Sequence, residues 1–320
     1  MSNIDRKIAV VIPTYNGVNI VDRCIKALQQ STIKPDIILC VDDYSKDGTP
    51  EHVKKYFPNV KILINEQNLG ASESYARGIR YCYFNSYERI WLLDQDDIPI
   101  ITALEEIIYF ADKVGTNFVP FSMLVDEKSR YIYPMLTQYN LENTLMIKGY
   151  YEVELANFAG MLLNIDQIKR VKFPLKILTM DGGDWEYCLR LKNKGFSLIV
   201  NSKSVVYHNE GFPVVLKLPI AIPYLAYEGK IIKKYSKYHL INLTLSNKRI
   251  LSKTSNYFLI LNLPYIKNFH KTFILKCFLF NFIKIILFNR DKITNLKFFI
   301  KGLSSGLIKK KLIISKLNCI

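Results

Sequence analysis

The chain has 320 residues, 49% hydrophobic and 13% aromatic, which excludes a disordered tail and suffices for one large core or two smaller ones. Its formal charge of +16 is unevenly spread: residues 1–210 hold 24 Lys and Arg against 26 Asp and Glu, whereas residues 211–320 hold 20 against 2. A basic final third points to an anionic partner, nucleic acid or anionic lipid, and six scattered cysteines with no C-x-x-C pair suit a reducing compartment rather than a disulfide framework.

The opening MSNIDRKIAVVIP lacks the charged, apolar, then small-residue order of a signal peptide and runs directly into a strand, so the sequence reads as facing the cytosol. Lys7 to Ile12 is an apolar run of the kind that makes a buried parallel strand, ended by Pro13-Thr14-Tyr15-Asn16-Gly17. A helical pattern follows, with Val18, Val21, Ile25 and Leu28 on one face. Ile37 to Val41 is a second buried strand, closed by Asp42-Asp43 and a turn-rich Ser45 to Thr49. Glu51 to Tyr56 predicts a short helix and Val60 to Ile64 a third strand. Asn65-Glu66-Gln67-Asn68-Leu69-Gly70 then leads into a helix through Tyr81. Ile90 to Leu93 is a fourth strand. Asp94, Asp96 and Asp97 crowd the four positions after it, and Pro99 opens another helical pattern, for which Asp97 would serve as a cap.

Strands alternating with helices argue for βαβ units and a doubly wound, mostly parallel sheet, where ligands sit beyond the carboxyl ends of the strands. Polar residues gather at those ends: Thr14 to Asn16, Asp42-Asp43, Asn68 to Gly70 and Asp94 to Asp97. Clustered carboxylates require a positive partner, and hard oxygen ligands suit Mg²⁺ or Mn²⁺. A bare Asp-x-Asp is more often a solvated turn; four polar loops on one sheet edge make it a site.

Further on, Thr102 to Lys113 predicts a helix, Phe118 to Leu124 a strand, Tyr131 to Tyr133 a strand-like stretch, and Ala156 to Leu163 a strand or close-packed turn. Asp184 then caps a helix that buries Trp185, Cys188 and Leu189 and ends at Lys194-Gly195. Phe196 to Val200 and Val205 to Tyr207 read as two strands, with His208 at the end of the second.

The segments VVIPTYNG (10–17), VDDYSKDGT (41–49), NEQNLGASESYARGI (65–79), WLLDQDDIP (91–99), DGGDWEYCLRLKNKGF (181–196) and VVYH (205–208) together resemble the inverting glycosyltransferases of family 2, on the GT-A fold. Each is short, but their order and spacing span about 200 residues. Within the family, LLDQDD-I-P, the DWEYCLR helix, NYFLILN (256–262) and NLKFFIKGLSSGL (295–307) look like the rhamnosyl- and galactofuranosyl-transferase branch, although Leu261-Asn262 stands where that branch often has Arg-Asn. The resemblance implies a GT-A domain over 1–212, with a nucleotide-binding half over 1–100 and an acceptor-binding half over 101–212, then a basic, mainly helical region over 213–320. It implies that Pro13, Thr14, Tyr15, Asn16, Asp42 and Asp43 line the base and ribose pocket, and that Asn68, Gly70, Arg77 and Gln95 lie near the donor. Asp94 and Asp96 would be the D-x-D pair, His208 a further metal ligand, and Asp184 the catalytic base. Glu186 would either touch the acceptor or simply favour the helix dipole. The chemistry needs these types: a metal stabilises charge growing on a diphosphate leaving group, and a carboxylate takes the proton from an acceptor hydroxyl.

The implied function is metal-dependent, inverting transfer of a sugar, rhamnose or galactofuranose, from a dTDP or UDP donor. Its acceptor would be a glycan or a polyprenyl-diphosphate-linked glycan of a bacterial surface polysaccharide. A polyprenyl-phosphate sugar synthase of the same fold, or a silent nucleotide- and membrane-binding partner, are the competing readings. KTFILKCFLFNFIKIILFNR (271–290) is the most hydrophobic segment, but Lys276, Asn281 and Lys284 interrupt it, so no transmembrane helix is assigned. Lysines among Phe, Ile and Leu fit a peripheral contact with an anionic membrane on its cytoplasmic face. A helical cap or a homo-oligomer contact is the competing account, and with no base-reading motif nucleic acid ranks well below lipid.

Overall fold

A computed structural model of the chain describes residues 7–125, 149–179, 182–208, 247–263, 266, 271–272, 274–275, 278–279, 282 and 292–317. Strand β1 (Ile8–Thr14) is buried along its whole length. Its continuous apolar sequence follows from its place in mid-sheet, with β2 (Ile37–Asp42) and β4 (Arg89–Leu92) paired in parallel on either side. Outside β2 lies β3 (Lys61–Ile64), parallel, and outside β4 lies β8 (Leu162–Asn164), antiparallel, which gives the order β3-β2-β1-β4-β8. Helices α1 (Val21–Gln30), α2 (Thr49–Tyr56) and α3 (Ala71–Phe84) are the crossovers. The chain first adds strands on one side of β1 and then crosses to the other. That change of direction makes the carboxyl ends of β1 and β4 the topological switch point, the place where open α/β sheets bind ligands.

A second sheet is centred on β9 (Ser197–His208). β6 (Phe118–Val125) pairs with it in parallel, while β7 (Tyr150–Val153) and β5 (Asp97–Pro99) run antiparallel along its other edge. Helix α4 (Ala103–Val114) packs on this sheet, and α5 (Ile165–Val171) follows β8 behind an Asn164–Gln167 capping box. Helix α6 is Gly183–Asn193. Gly160 joins the two sheets: its N–H donates to the Leu92 carbonyl and its own carbonyl accepts from Ser122 N–H, each at 2.8 Å.

Two expectations need correction. Pro99 does not open a helix: Asp97–Pro99 is the edge strand β5, where the missing proline N–H is tolerated, and α4 begins only at Ala103 behind Thr102. The two strands expected over 196–207 are one, β9. Its polar middle is satisfied from within, by Asn201 Nδ2 donating to the Glu106 carbonyl (3.0 Å) and Ser204 Oγ to that of Ala103 (2.8 Å). Ala156 to Leu163 is a turn leading into β8. Tyr131 to Tyr133 lie outside the described residues.

The chain divides into two compact units, Met1–Thr179 with Asp184–Glu210, and Met180–Gly183 with Gly211–Ile320. In the second, α7 (Asn247–Leu261) and α8 (Lys292–Leu317) pack closely, Gly302 against Thr254 and Gly306 against Ser255, beside a cluster of Ile250, Phe299, Phe278, Phe282, Phe298 and Leu303. Among the described residues no helix is long and apolar enough to cross a membrane.

Gly78 sits where α3 meets the sheet, and a Cβ there would lie 2.3 Å from Val11 Cγ1 and 3.2 Å from Val41 Cγ2. Alanine improves helix propensity by about 1 kcal/mol, whereas overpacking against stiff valines costs about 1–3 kcal/mol. The steric effect should win, so Gly78→Ala is expected to lower the unfolding free energy by about 1 kcal/mol in urea titrations. In a Val11→Ala background the same change should become neutral or stabilising. A Gly78→Ala that stabilises the wild-type chain would show that α3 moves off the sheet freely.

Candidate active site

The loops at the carboxyl edge of the first sheet are tied to one another mainly by carboxylates. Thr14 Oγ1 donates to Asp42 Oδ1 (3.0 Å), and the Asp42 carboxylate also accepts from Ser45 Oγ (2.6 Å) and Ser45 N–H (2.8 Å). Asp43 accepts from the backbone N–H of Leu69 (2.7 Å) and Gly70 (2.8 Å) and from Asn65 Nδ2 (2.9 Å). Both aspartates are buried. Asn16 N–H donates to Ser45 Oγ (2.8 Å), and Asn16 Oδ1 accepts from Lys46 N–H (2.9 Å). Gln95 closes the ring: its Oε1 accepts from Tyr15 N–H (2.9 Å) and its Nε2 donates to the Tyr15 carbonyl (3.2 Å). This pair bridges the carboxyl ends of β1 and β4, at the switch point.

Within that frame Pro13 and Thr14 are buried, whereas Tyr15 and Asn16 face solvent. Tyr44 is also exposed, in the left-handed region at φ 66°, with the Lys46 ammonium 3.3 Å from its ring centre. Asn68 is exposed and its Nδ2 donates to the Asp43 carbonyl at 3.3 Å. Gly70, at φ +88°, is irreplaceable on two grounds: a Cβ would be strained there and would lie 1.9 Å from the Thr179 carbonyl oxygen. Gly70 therefore lies flat against Thr179. Arg77 turns back onto β3, donating to the Ile64 carbonyl (2.7 Å) and Asn65 Oδ1 (2.6 Å), so it braces the loop from behind.

The structure brings Asp94, Asp96 and His208 together, with one ligand atom of each inside a 4.8 Å circle. Asp94 and Asp96 are half-buried and His208 is buried. Tyr75 Oη donates to Asp94 Oδ1 at 2.6 Å, from inside α3. Asp97 is wholly buried; its Oδ2 accepts from Asp94 N–H (2.7 Å), and its Oδ1 lies 2.6 Å from His208 Nδ1. Burial above all, then the negative neighbours Asp97 and Asp96, pushes the Asp94 carboxyl up to about 7, against the opposing pull of His208 and the Tyr75 hydroxyl. Two carboxylates and an imidazole that crowd one another in this way fit Mn²⁺ or Mg²⁺ as the missing positive charge.

Asp184 is half-buried in the first turn of α6, with Oδ1 accepting from Trp185 N–H at 2.9 Å. The helix begins one residue earlier, at Gly183, so Asp184 lies inside it and not at its cap. Trp185, Tyr187, Cys188 and Leu189 seat the helix in the core. Glu186, also buried, pairs with Arg190 through two 2.8 Å bonds, and Arg190 continues to the carbonyls of Val171 and Phe173. Glu186 is thus an anchor of α6.

Two contributors are not visible from sequence reasoning. Asp97 reads there as a helix cap, yet in the fold it supports two residues of the cluster, Asp94 and His208. Tyr75 reads only as a helix position, and no sequence signal marks a tyrosine that reaches an aspartate nineteen residues on.

Residues 9–167 match the family described as Glycosyl transferase family 2. The chain is 25% identical to the glycosyltransferase AglE of Haloferax volcanii over 202 residues, which is 60% of this chain and 63% of that protein. Other curated relatives, all described as glycosyltransferases, are matched over 32–39% of their length. Among solved structures, Staphylococcus aureus TarS 1–349 in complex with UDP-GlcNAc superposes with a TM-score of 0.57 at 18% identity, covering 93% of this chain and 79% of that one. GalNAc-T7 with UDP, GalNAc and Mn²⁺ gives 0.54 at 15% identity, over 85% of this chain and 55% of that one. The fold is GT-A.

A raised native pKa on Asp94 means that the folded, metal-free protein binds a proton more tightly than the unfolded chain does. Its contribution to stability is then present at low pH and lost as pH rises toward about 7. A cation replaces that proton. The rise in Tm on adding Mn²⁺ should therefore be larger at about pH 8 than at about pH 5, and should shrink in Asp94→Asn. An equal shift at both pH values would count against the cluster as the binding place.

Proposed function

With residues 9–167 a family 2 glycosyl transferase domain, we propose that the protein transfers a sugar from a nucleotide diphosphate to an acceptor hydroxyl, with inversion. The observation that carries this is the Asp94, Asp96 and His208 cluster at the carboxyl edge of a doubly wound sheet, beside the switch point. In this reading the exposed ring of Tyr15 and the exposed side chain of Asn16 meet the base and ribose. Pro13, Thr14, Asp42 and Asp43 hold the pocket's shape, and Gln95 fixes Tyr15. Asn68 and Gly70 flank the donor sugar or diphosphate, with Arg77 bracing them.

Asp94, Asp96 and His208 would hold the divalent cation, which supplies positive charge to the departing diphosphate. Asp184 takes the proton of the acceptor hydroxyl as that oxygen attacks the anomeric carbon. One base opposite the leaving group suffices for inversion, so no second nucleophilic carboxylate is needed. UDP and dTDP are the donors to try first; uridine nucleotides occupy the structural neighbours described above. Rhamnose and galactofuranose are the sugars that the sequence favours, and a glycan or lipid-linked glycan is the acceptor class.

A cytoplasmic-face membrane contact fits the second unit. The solvent face of α8 carries Ile293, Leu296, Ile300, Leu307 and Ile308, all exposed, interleaved with exposed Lys297 and Lys301. Apolar side chains with lysines between them suit an anionic lipid interface, where each ammonium near the surface contributes about 1 kcal/mol.

Screening nucleotide sugars for Mn²⁺-dependent hydrolysis and transfer would identify the donor. Asp184→Asn should then lower transfer by about 10²–10⁴-fold while leaving nucleotide affinity unchanged, and full activity would remove Asp184 as the base. Lys297→Glu with Lys301→Glu should reduce sedimentation with anionic vesicles at low salt by about 30-fold, the equivalent of two lost lysine contacts. Undiminished sedimentation would move the contact elsewhere.

A further inference from the structure

The third aspartate of the Asp94-Gln95-Asp96-Asp97 run has no place in a two-aspartate, one-histidine ligand set. Yet it is the most deeply buried of the three, with no exposed surface. Strand pairing puts it directly opposite His208, since Asp97 and His208 are partners in the β5–β9 ladder. Its two oxygens have different partners: Oδ1 faces His208 Nδ1 at 2.6 Å, and Oδ2 takes Asp94 N–H at 2.7 Å. The Asp97 N–H returns to the Asp94 carbonyl at 3.1 Å, which closes the turn around Asp96.

An ionised carboxylate only accepts, so a neutral imidazole beside it must donate from Nδ1, which leaves Nε2 as the lone pair. We propose that Asp97 is the positioning residue of the cation site: one carboxylate fixes His208 as the Nδ1–H tautomer, aims Nε2 at the cation, and pins the backbone of Asp94 from its other oxygen. This rests on the reading of Asp94, Asp96 and His208 as metal ligands. It goes further by assigning which nitrogen ligates and why three carboxylates stand where two bind. Together with the turn and the β5–β9 ladder, this single side chain ties the end of β4 to the end of β9.

Asp97→Asn keeps the volume and tests the chemistry. Asparagine offers one acceptor oxygen to two donors, so its NH₂ must face either Asp94 N–H or His208 Nδ1. Facing His208, it donates to Nδ1 and moves the ring proton to Nε2, where it blocks coordination. Facing Asp94, it leaves two donors opposed and loosens the turn.

Two readouts on the full-length protein decide the matter. One is the His208 imidazole ¹⁵N spectrum without metal, at a pH where the ring is neutral, assigned by its loss in His208→Gln. The other is Mn²⁺ binding in the presence of UDP, followed by the EPR signal of free Mn²⁺. Wild type should show Nδ1–H. Asp97→Asn should shift the ring toward Nε2–H and weaken Mn²⁺ binding by about 10–100-fold, the range for a lost partner of a ligating histidine. An Nε2–H ring in wild type overturns the proposal even if Asp97→Asn fails to fold. Wild-type affinity in a folded Asp97→Asn overturns it too, and leaves the cation site standing. If wild type binds no Mn²⁺ and His208→Gln changes nothing, the cation site falls and this proposal with it.

Discussion

Like charges gathered at the end of a buried strand are the constraint that the first unit is built around. Two carboxylates with oxygens within 4.8 Å of each other repel by roughly 3 kcal/mol or more at an effective dielectric near 20, and partial burial of Asp94 adds to that. Three physical remedies are available: a proton, a hydrogen-bond donor or a cation. The chain uses the second wherever it can, with Tyr75 Oη and the backbone N–H groups of the turn, and the remaining deficit appears as the raised Asp94 pKa. A cation would remove that deficit without the proton. The second sheet serves the same end, because the β5–β9 ladder delivers an imidazole from more than a hundred residues downstream to the one place where the first sheet needs it.

The other loops of that sheet edge follow the same logic with opposite effect. Asp42, Asp43 and Asp47 are consumed as acceptors of N–H and O–H donors from neighbouring loops, and charge-assisted bonds of this sort are among the stronger ones a loop can make. The loops are therefore held before any ligand arrives. Exposed on that rim are Tyr15, Asn16, Tyr44, Lys46, Asp47, Glu66, Gln67 and Asn68. Pre-ordering of this kind lowers the entropic cost of binding, which is where rigid loops gain affinity over mobile ones.

Much of this architecture was legible in the residues, and the reasons for the gaps are physical. β1, β2 and β4 could be read because strands buried on both faces need unbroken apolar runs, and their polar ends marked the site edge. β9 could not, because Asn201 and Ser204 interrupt its pattern and their hydrogen-bond partners lie about a hundred residues away. Asp-Ile-Pro after a strand is the local signature of a helix start, and only tertiary pairing with β9 turns it into β5. Arg77 and Glu186 carry charges that a linear reading sends to ligand or acceptor, whereas the fold satisfies each internally. Composition alone revealed the basic character of the last third, but not which face of α8 presents Leu and Lys together.

The proposed base and the cation cluster come from distant stretches of chain, and the core between them explains how their relation can be held. The Tyr75 ring, whose hydroxyl grips Asp94, packs at a tilt against Phe158 at 4.9 Å, and Phe158 meets Tyr187 at 5.9 Å, three residues along α6 from Asp184. Aromatic contacts of this sort add about 0.5–1.5 kcal/mol each beyond their burial, and a close-packed interior transmits rather than absorbs displacement. Cys188, with its thiol 3.5 Å from the Ala156 carbonyl, holds the same helix to the same turn. An inverting displacement needs the base and the leaving group on opposite sides of one carbon, at a separation that does not fluctuate. Through Tyr75, Phe158 and Tyr187 a chain of rings runs from Asp94 to α6, the packing by which the proposed base and the cluster would keep such a separation.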